Sequence, residues 1–265
     1  MTMHEQHDYQ AELAELIRPV AQRGTMSLIV KLFICLASTL TLLGGALAFQ
    51  QTRRAPAKSQ SPAAQATTTD PDRVERPTSQ PYTGSLSIFE DPKRAERLQI
   101  ERVMDVLKIK EGTNVADIGA GSGWFTVRAA RRVGASGTVY AVDINRDYLK
   151  YIEERARKEE LPNVHTILGK ADDALLPAKS ADAVLILKTY HEIAEPIRLM
   201  RRLRAALRDG ALVGIIDRSG RGDDHGLDAP VVVKEMERAG YALDASYDFV
   251  KPDGMDYFLV FRVKN

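Results

Sequence analysis

The chain has 265 residues, 44% of them hydrophobic and 28% charged, enough to bury one good core or two small ones. A formal net charge of +1 argues against a nucleic-acid binder held by bulk electrostatics, since phosphate recognition leaves a basic surplus. The single cysteine, Cys35, excludes an internal disulfide framework and a cysteine-rich zinc site.

Residues 1–26 form a polar N-terminal segment. Ser27 to Phe49, SLIVKLFICLASTLTLLGGALAF, follows, interrupted only by Lys31. Its uninterrupted part, Leu32 to Phe49, is near the lower limit of roughly 17 residues for crossing a bilayer. Two readings compete: an uncleaved membrane anchor, or a signal peptide cleaved after Ala48 in the pattern Ala46, Leu47, Ala48. Basic residues flank both ends, so charge does not fix the orientation. Residues 50–87 are rich in Pro, Ser, Thr, Gln and Ala and lack aliphatic periodicity. Such a stretch buries too little apolar surface to offset its ordering entropy and is expected to be a disordered tether, with a reach on the order of 30 Å.

Residues 88–265 alternate between helical and strand patterns. DPKRAERLQIERVMDVLKI has its apolar residues at helical spacing. The runs NVADI, TVYAVD, VHTIL, DAVLIL and ALVGIID read as strands, separated by NRDYLKYIEERARKEE and EPIRLMRRLRAALRDG, which read as amphipathic helices. VVVKEMERAGY is a further helix, and ALDASYDFV and MDYFLVFRV are two strands joined through Lys251 to Gly254. The fold class expected is α/β: a doubly wound, mostly parallel sheet with helices on both faces and a C-terminal antiparallel hairpin.

The first strand runs into VADIGAGSGWF, with glycines at positions 119, 121 and 123. Glycine tolerates positive φ and has no Cβ, so the backbone of such a turn passes close to a bound molecule. The helix that follows aims unpaired N–H groups at it. In open α/β sheets the ligand lies beyond the carboxyl ends of the strands. There the chain supplies Asp117 and Asp143 at the ends of the first and second strands, Asp172 and Asp173 after the third, and Lys188 to Glu192 after the fourth. A dinucleotide fingerprint places its third small residue where this chain has Trp124, which disfavours NAD.

Taken in order, VADIGAGSGWF, TVYAVDI, GKADDALLP and DAVLILKTYHEI resemble the class I S-adenosylmethionine-dependent methyltransferases, over roughly Phe89 to Val263. The resemblance implies a seven-stranded Rossmann-like domain and S-adenosylmethionine as cofactor. It places Gly119, Gly121 and Gly123 against the methionine part, Asp117 on its amino group, Asp143 on the ribose hydroxyls, and Asp172, or its neighbour Asp173, on the adenine amino group. A carboxylate accepts hydrogen bonds and suits all of these donors. Lys170 stands where many members carry an acid.

Methyl transfer to a protonated acceptor calls for a base beside a well-held nucleophile. His191 is the candidate, with Tyr190 and Glu192 as positioning groups, and His225 in GRGDDHG is a second. No metal is expected. The YHE segment is similar to that of small-molecule and arsenite-type methyltransferases, but the cysteines of the arsenite type are absent from this domain. The lead-in DVLKIKEGTNVADIG is similar to that of protein isoaspartyl methyltransferases, without their serine-containing segment.

The acceptor expected is small or lipophilic, with membrane contact through the N-terminal apolar segment and no nucleic-acid partner. Because S-adenosylmethionine is made and used in the cytosol, an anchor at residues 27–49 with a cytoplasmic catalytic domain is preferred to export. A noncatalytic cofactor-binding scaffold and an NAD(P)-dependent oxidoreductase are the alternatives.

Overall fold

The computed structural model describes residues 70–264, apart from 75, 77, 80, 81 and 222–224. The polar N-terminus, the apolar segment Ser27 to Phe49 and the first part of the tether lie outside the described residues. Among those described, no helix is long and apolar enough to cross a membrane.

Seven strands form one sheet in the order β3-β2-β1-β4-β5-β7-β6. They are β1 (Asn114–Ile118), β2 (Thr138–Asp143), β3 (Val164–Leu168), β4 (Ala181–Leu187), β5 (Leu207–Asp217), β6 (Tyr241–Tyr247) and β7 (Tyr257–Val263). The first five pair in parallel, whereas β7 is antiparallel to both β5 and β6. The expected mostly parallel sheet with an antiparallel C-terminal hairpin is the one observed, and β7 lies inside the sheet with β6 at its edge.

Side chains of successive strand residues point to opposite faces, and the core divides accordingly. Val115, Val139, Leu185 and Phe258 lie on one face with helices α2 (Ile100–Val106) and α3 (Trp124–Val133). On that face Ile152 of α4 (Arg146–Lys158) packs against Ala141. Ala116, Val142, Ile186 and Leu259 lie on the other, with α5 (Pro196–Leu203) and α6 (Ala229–Arg238). Strands covered on both faces need apolar residues at nearly every position, hence runs such as VLIL and VGII. Helix α4 begins where the Asn145 side chain accepts the N–H of Asp147, and its last turn carries Arg155, Arg157 and Lys158 against the negative end of the helix dipole.

Three expectations are corrected. The first helical pattern is broken in two: α1 (Arg94–Arg97) and α2 are separated at Gln99, which adopts φ +51° while its side chain donates to the carbonyl of Phe249. The helix expected through Gly210 stops at Leu203, and after a short 3-10 turn the chain is already β5 at Leu207. Leu207 is buried opposite Ala181, and a bulge holding Arg208, Asp209 and Gly210 precedes the regular pairing from Leu212. The tether, in turn, does not run free to residue 87. From Asp70 on it lies against the domain, through Asp70 with Arg198, Asp72 with Arg201, the Pro71 carbonyl with Arg238, and Arg76 with Glu235.

Candidate functional site

The strand order reverses between β1 and β4, and in such sheets the ligand site lies beyond the carboxyl ends of the strands at this switch point. The glycine turn after β1 lies there. Gly119 has φ +75°, and a Cβ on it would come within 2.2 Å of the Thr189 methyl group after β4, so only glycine lets the two loops approach. Gly121 has φ +55° with nothing within 4 Å of a Cβ placed on it. The turn is thus closed at Gly119 and open at Gly121.

Two carboxylates flank the turn. Asp117 is buried and accepts the hydroxyl of Thr126, on α3, at 2.6 Å. Burial pushes its carboxyl up to about 7, and the nearby Asp143 charge adds to the rise against the opposing hydrogen bond from Thr126. Asp143 accepts the Gly121 N–H at 3.0 Å and the Asn145 N–H at 2.9 Å. Burial raises it as well, and those N–H groups work in the opposite direction. Asp143 and the turn therefore hold each other in place.

The two acids after β3 are otherwise engaged. Asp172 pairs with Arg202 of α5 at 2.5 Å. Asp173 accepts the N–H of Leu175 at 2.9 Å and bridges back to Lys170.

The fourth-strand segment divides sharply. Tyr190 is fully buried in the core, with the Arg76 guanidinium over its ring, so it packs beneath the site rather than meeting an acceptor. His191 is buried with 3% exposure, and Asp217, at the end of β5, is completely buried beside it. The Asp217 carboxylate lies 2.9 Å from His191 Nδ1 and accepts the His191 backbone N–H at 3.2 Å. That pair fixes the ring and directs Nε2 the other way, to 3.3 Å from Glu192 Oε1. His225 Nδ1 reaches the same oxygen at 3.1 Å, while Glu192 Oε2 accepts the Ser79 N–H at 2.5 Å. Burial raises the Glu192 carboxyl, but the Ser79 N–H and hydroxyl, with His225 and His191, prevail and hold it below its usual value.

The fold thus brings Asp117, Gly119, Gly121, Gly123 and Asp143 together at the ends of β1 and β2, and His191, Glu192 and His225 beyond β4 and β5. Sequence reasoning missed Asp217, although ALVGIID ends in an acid just as NVADI and TVYAVD carry theirs, and it missed Ser79 and Arg76, concealed in a stretch read as tether.

A parallel five-strand core with a β7-β6 antiparallel end and a glycine turn flanked by strand-end carboxylates is the architecture of the class I, seven-stranded methyltransferases. Residues 115–210 match the methyltransferase domain family model. The chain is 27% identical over 119 residues to a demethylmenaquinone methyltransferase of Listeria welshimeri, covering 45% of this chain and 50% of that one. It is 27% identical over 95 residues to a protein-L-isoaspartate O-methyltransferase of Pyrococcus horikoshii, covering 36% and 42% of the two chains. The chain spans about half the length of the curated relatives it matches. Among solved structures, an S-adenosylmethionine-dependent methyltransferase from Aquifex aeolicus superimposes with a TM-score of 0.62 at 24% identity, covering 67% of this chain and 96% of that one.

The fold is that of the class I, seven-stranded methyltransferases, and residues 115–210 match the methyltransferase domain. The residues present fit S-adenosylmethionine: open space at Gly121 beside the Asp143 carboxylate suits a ligand rich in hydroxyl donors. A dinucleotide turn is not present, because its third small residue is the buried Trp124 at the start of α3.

Proposed function

We propose that this protein transfers a methyl group to a small lipophilic acceptor bearing an ionisable O–H, and that the pair formed by His191 and Asp217 handles the acceptor's proton. The observation that carries the reading is the fixed orientation of His191. With Nδ1–H donated to a buried carboxylate, the lone pair falls at Nε2, which faces Glu192 Oε1 at 3.3 Å, so that an acceptor O–H entering there meets a base. Bound S-adenosylmethionine supplies an electrophilic methyl group on a sulfonium. Asp117 and Asp143 hold the donor, and the His191 side of the site holds the acceptor, so most of the acceleration comes from positioning.

A lipophilic acceptor is supported by relatives named as demethylmenaquinone methyltransferases and by the apolar segment Ser27 to Phe49. In this reading that segment anchors the protein to a membrane and the catalytic domain faces the cytoplasm, where the cofactor is made. Asp172 and Asp173 remain the groups proposed for the adenine amino group. For Asp172 this requires its carboxylate to be shared with Arg202.

The test is methyl transfer from labelled S-adenosylmethionine by the full chain to a panel of lipophilic phenols and hydroquinones. Asp217→Asn, which disturbs the His191 tautomer, is expected to lower kcat by about 10²–10⁴-fold with cofactor binding unchanged. Turnover in Asp217→Asn equal to the parent, or no turnover with any acceptor, would overturn this reading.

A further inference from the structure

His191 and Glu192 stand after β4, and His225 is more than thirty residues on, after β5. The fold brings one ligand-type atom from each within 4.8 Å of one another. All three have partners of their own, His225 Nδ1 lying 3.3 Å from the Ser79 hydroxyl. Asp217 occupies Nδ1 of His191, and the Ser79 N–H occupies Oε2 of Glu192, which leaves Nε2 and Oε1 facing each other.

That pairing cannot be a simple hydrogen bond of neutral groups. An imidazole that donates from Nδ1 presents a lone pair at Nε2, and a carboxylate oxygen is also an acceptor. Two acceptors 3.3 Å apart need either a proton on Nε2, making the contact an imidazolium–carboxylate ion pair, or a metal ion between them. The spacing suits a metal ion. Ligands at about 2.0–2.1 Å in a tetrahedral arrangement lie about 3.3 Å apart, against the 3.3 Å and 3.1 Å found from Glu192 Oε1 to His191 and to His225. Two imidazoles and one carboxylate with positions left open form a donor set for first-row divalent ions, and a carboxylate behind a ligating histidine is the usual supporting arrangement.

We propose that His191, Glu192 and His225 bind one divalent first-row transition-metal ion at the acceptor side of the site. The ion takes up the lone pair that otherwise receives the acceptor's proton. With the ion bound, its open position ligates the acceptor oxygen and makes that O–H more acidic, and the proton passes to solvent water instead of to Nε2 as the oxygen takes the methyl group. This role rests on the methyl-transfer reading; the ion's binding does not.

The experiment is titration of chelator-stripped full chain with Co²⁺, without cofactor or acceptor, followed by the visible absorption of the bound ion. One equivalent is expected, with affinity about 10–100-fold weaker in His225→Ala and in the conservative Glu192→Gln. A variant lacking His4, His7 and His165, the remaining histidines, is expected to bind as the parent does. No bound ion, undiminished affinity in both site variants, or loss of binding in the three-histidine variant would overturn the proposal. Separate titration with S-adenosylmethionine distinguishes a failed metal site from a failed methyltransferase reading.

Discussion

Replacing Arg76 by alanine tests whether the segment before the domain is part of its structure. The Arg76 side chain is 3% exposed and Glu235, its partner on α6, is 6% exposed, with contacts of 2.5 and 2.6 Å to the two carboxylate oxygens. A third bond, of 3.0 Å, joins Arg76 to the Tyr190 carbonyl, and its guanidinium covers the Tyr190 ring. Arg76→Ala leaves a buried carboxylate with no counter-charge, an arrangement that costs about 3–5 kcal/mol. Peeling away of the strap would let water reach Glu235, so the lower end of that range is expected. For a domain of this size about 3 kcal/mol corresponds to a fall in Tm of roughly 6–12 °C. Urea unfolding of the full chain, followed by circular dichroism, measures the loss. Arg76→Met combined with Glu235→Leu should recover most of it, since no charge is then stranded. A change below about 0.5 kcal/mol in Arg76→Ala would refute the reasoning and return residues 70–87 to the role of free tether.

The raised Asp117 carboxyl makes stability and cofactor binding depend on pH. Between its unfolded value near 3.8 and its folded value of about 7 the folded state holds the extra proton, so this contribution to stability falls as pH rises through that window. An ammonium group favours the carboxylate, so the rise in Tm caused by S-adenosylmethionine should grow as pH increases through about 7; the same pH dependence in Asp117→Asn would contradict this. Gly119→Ala, which sets a Cβ against Thr189 at positive φ, should cost at least about 2 kcal/mol in unfolding measurements. Gly121→Ala, strained but free of clash, should cost about 1 kcal/mol and weaken cofactor binding disproportionately; cofactor affinity equal to the parent's would show that the open space is not the cofactor's.

Much of the architecture is legible in the residues because buried parallel strands demand short apolar runs, and those runs end in chemistry. Asp117, Asp143 and the glycine turn each stand at or next to the end of such a run, so their convergence follows once the sheet is parallel. What the sequence conceals is decided by tertiary contact. Leu207 reads as the next apolar position of a helix until Ala181 offers it a strand partner. Tyr190, Glu192 and His191 are adjacent in sequence, yet one is core, one bridges to Ser79 and His225, and one is held by Asp217. Arg76 sits in a segment too polar to form a core of its own and is ordered by a carboxylate 159 positions away.

The central claim, that the site beyond β1 and β2 is built for S-adenosylmethionine, is tested most directly by calorimetric titration of the full chain with that molecule, alongside Asp143→Ala. One equivalent is predicted to bind, with affinity about 10–100-fold weaker in the variant, as loss of hydrogen bonds to a charged group implies. A folded chain that takes up none, or that binds equally well without the Asp143 carboxylate, would contradict the account.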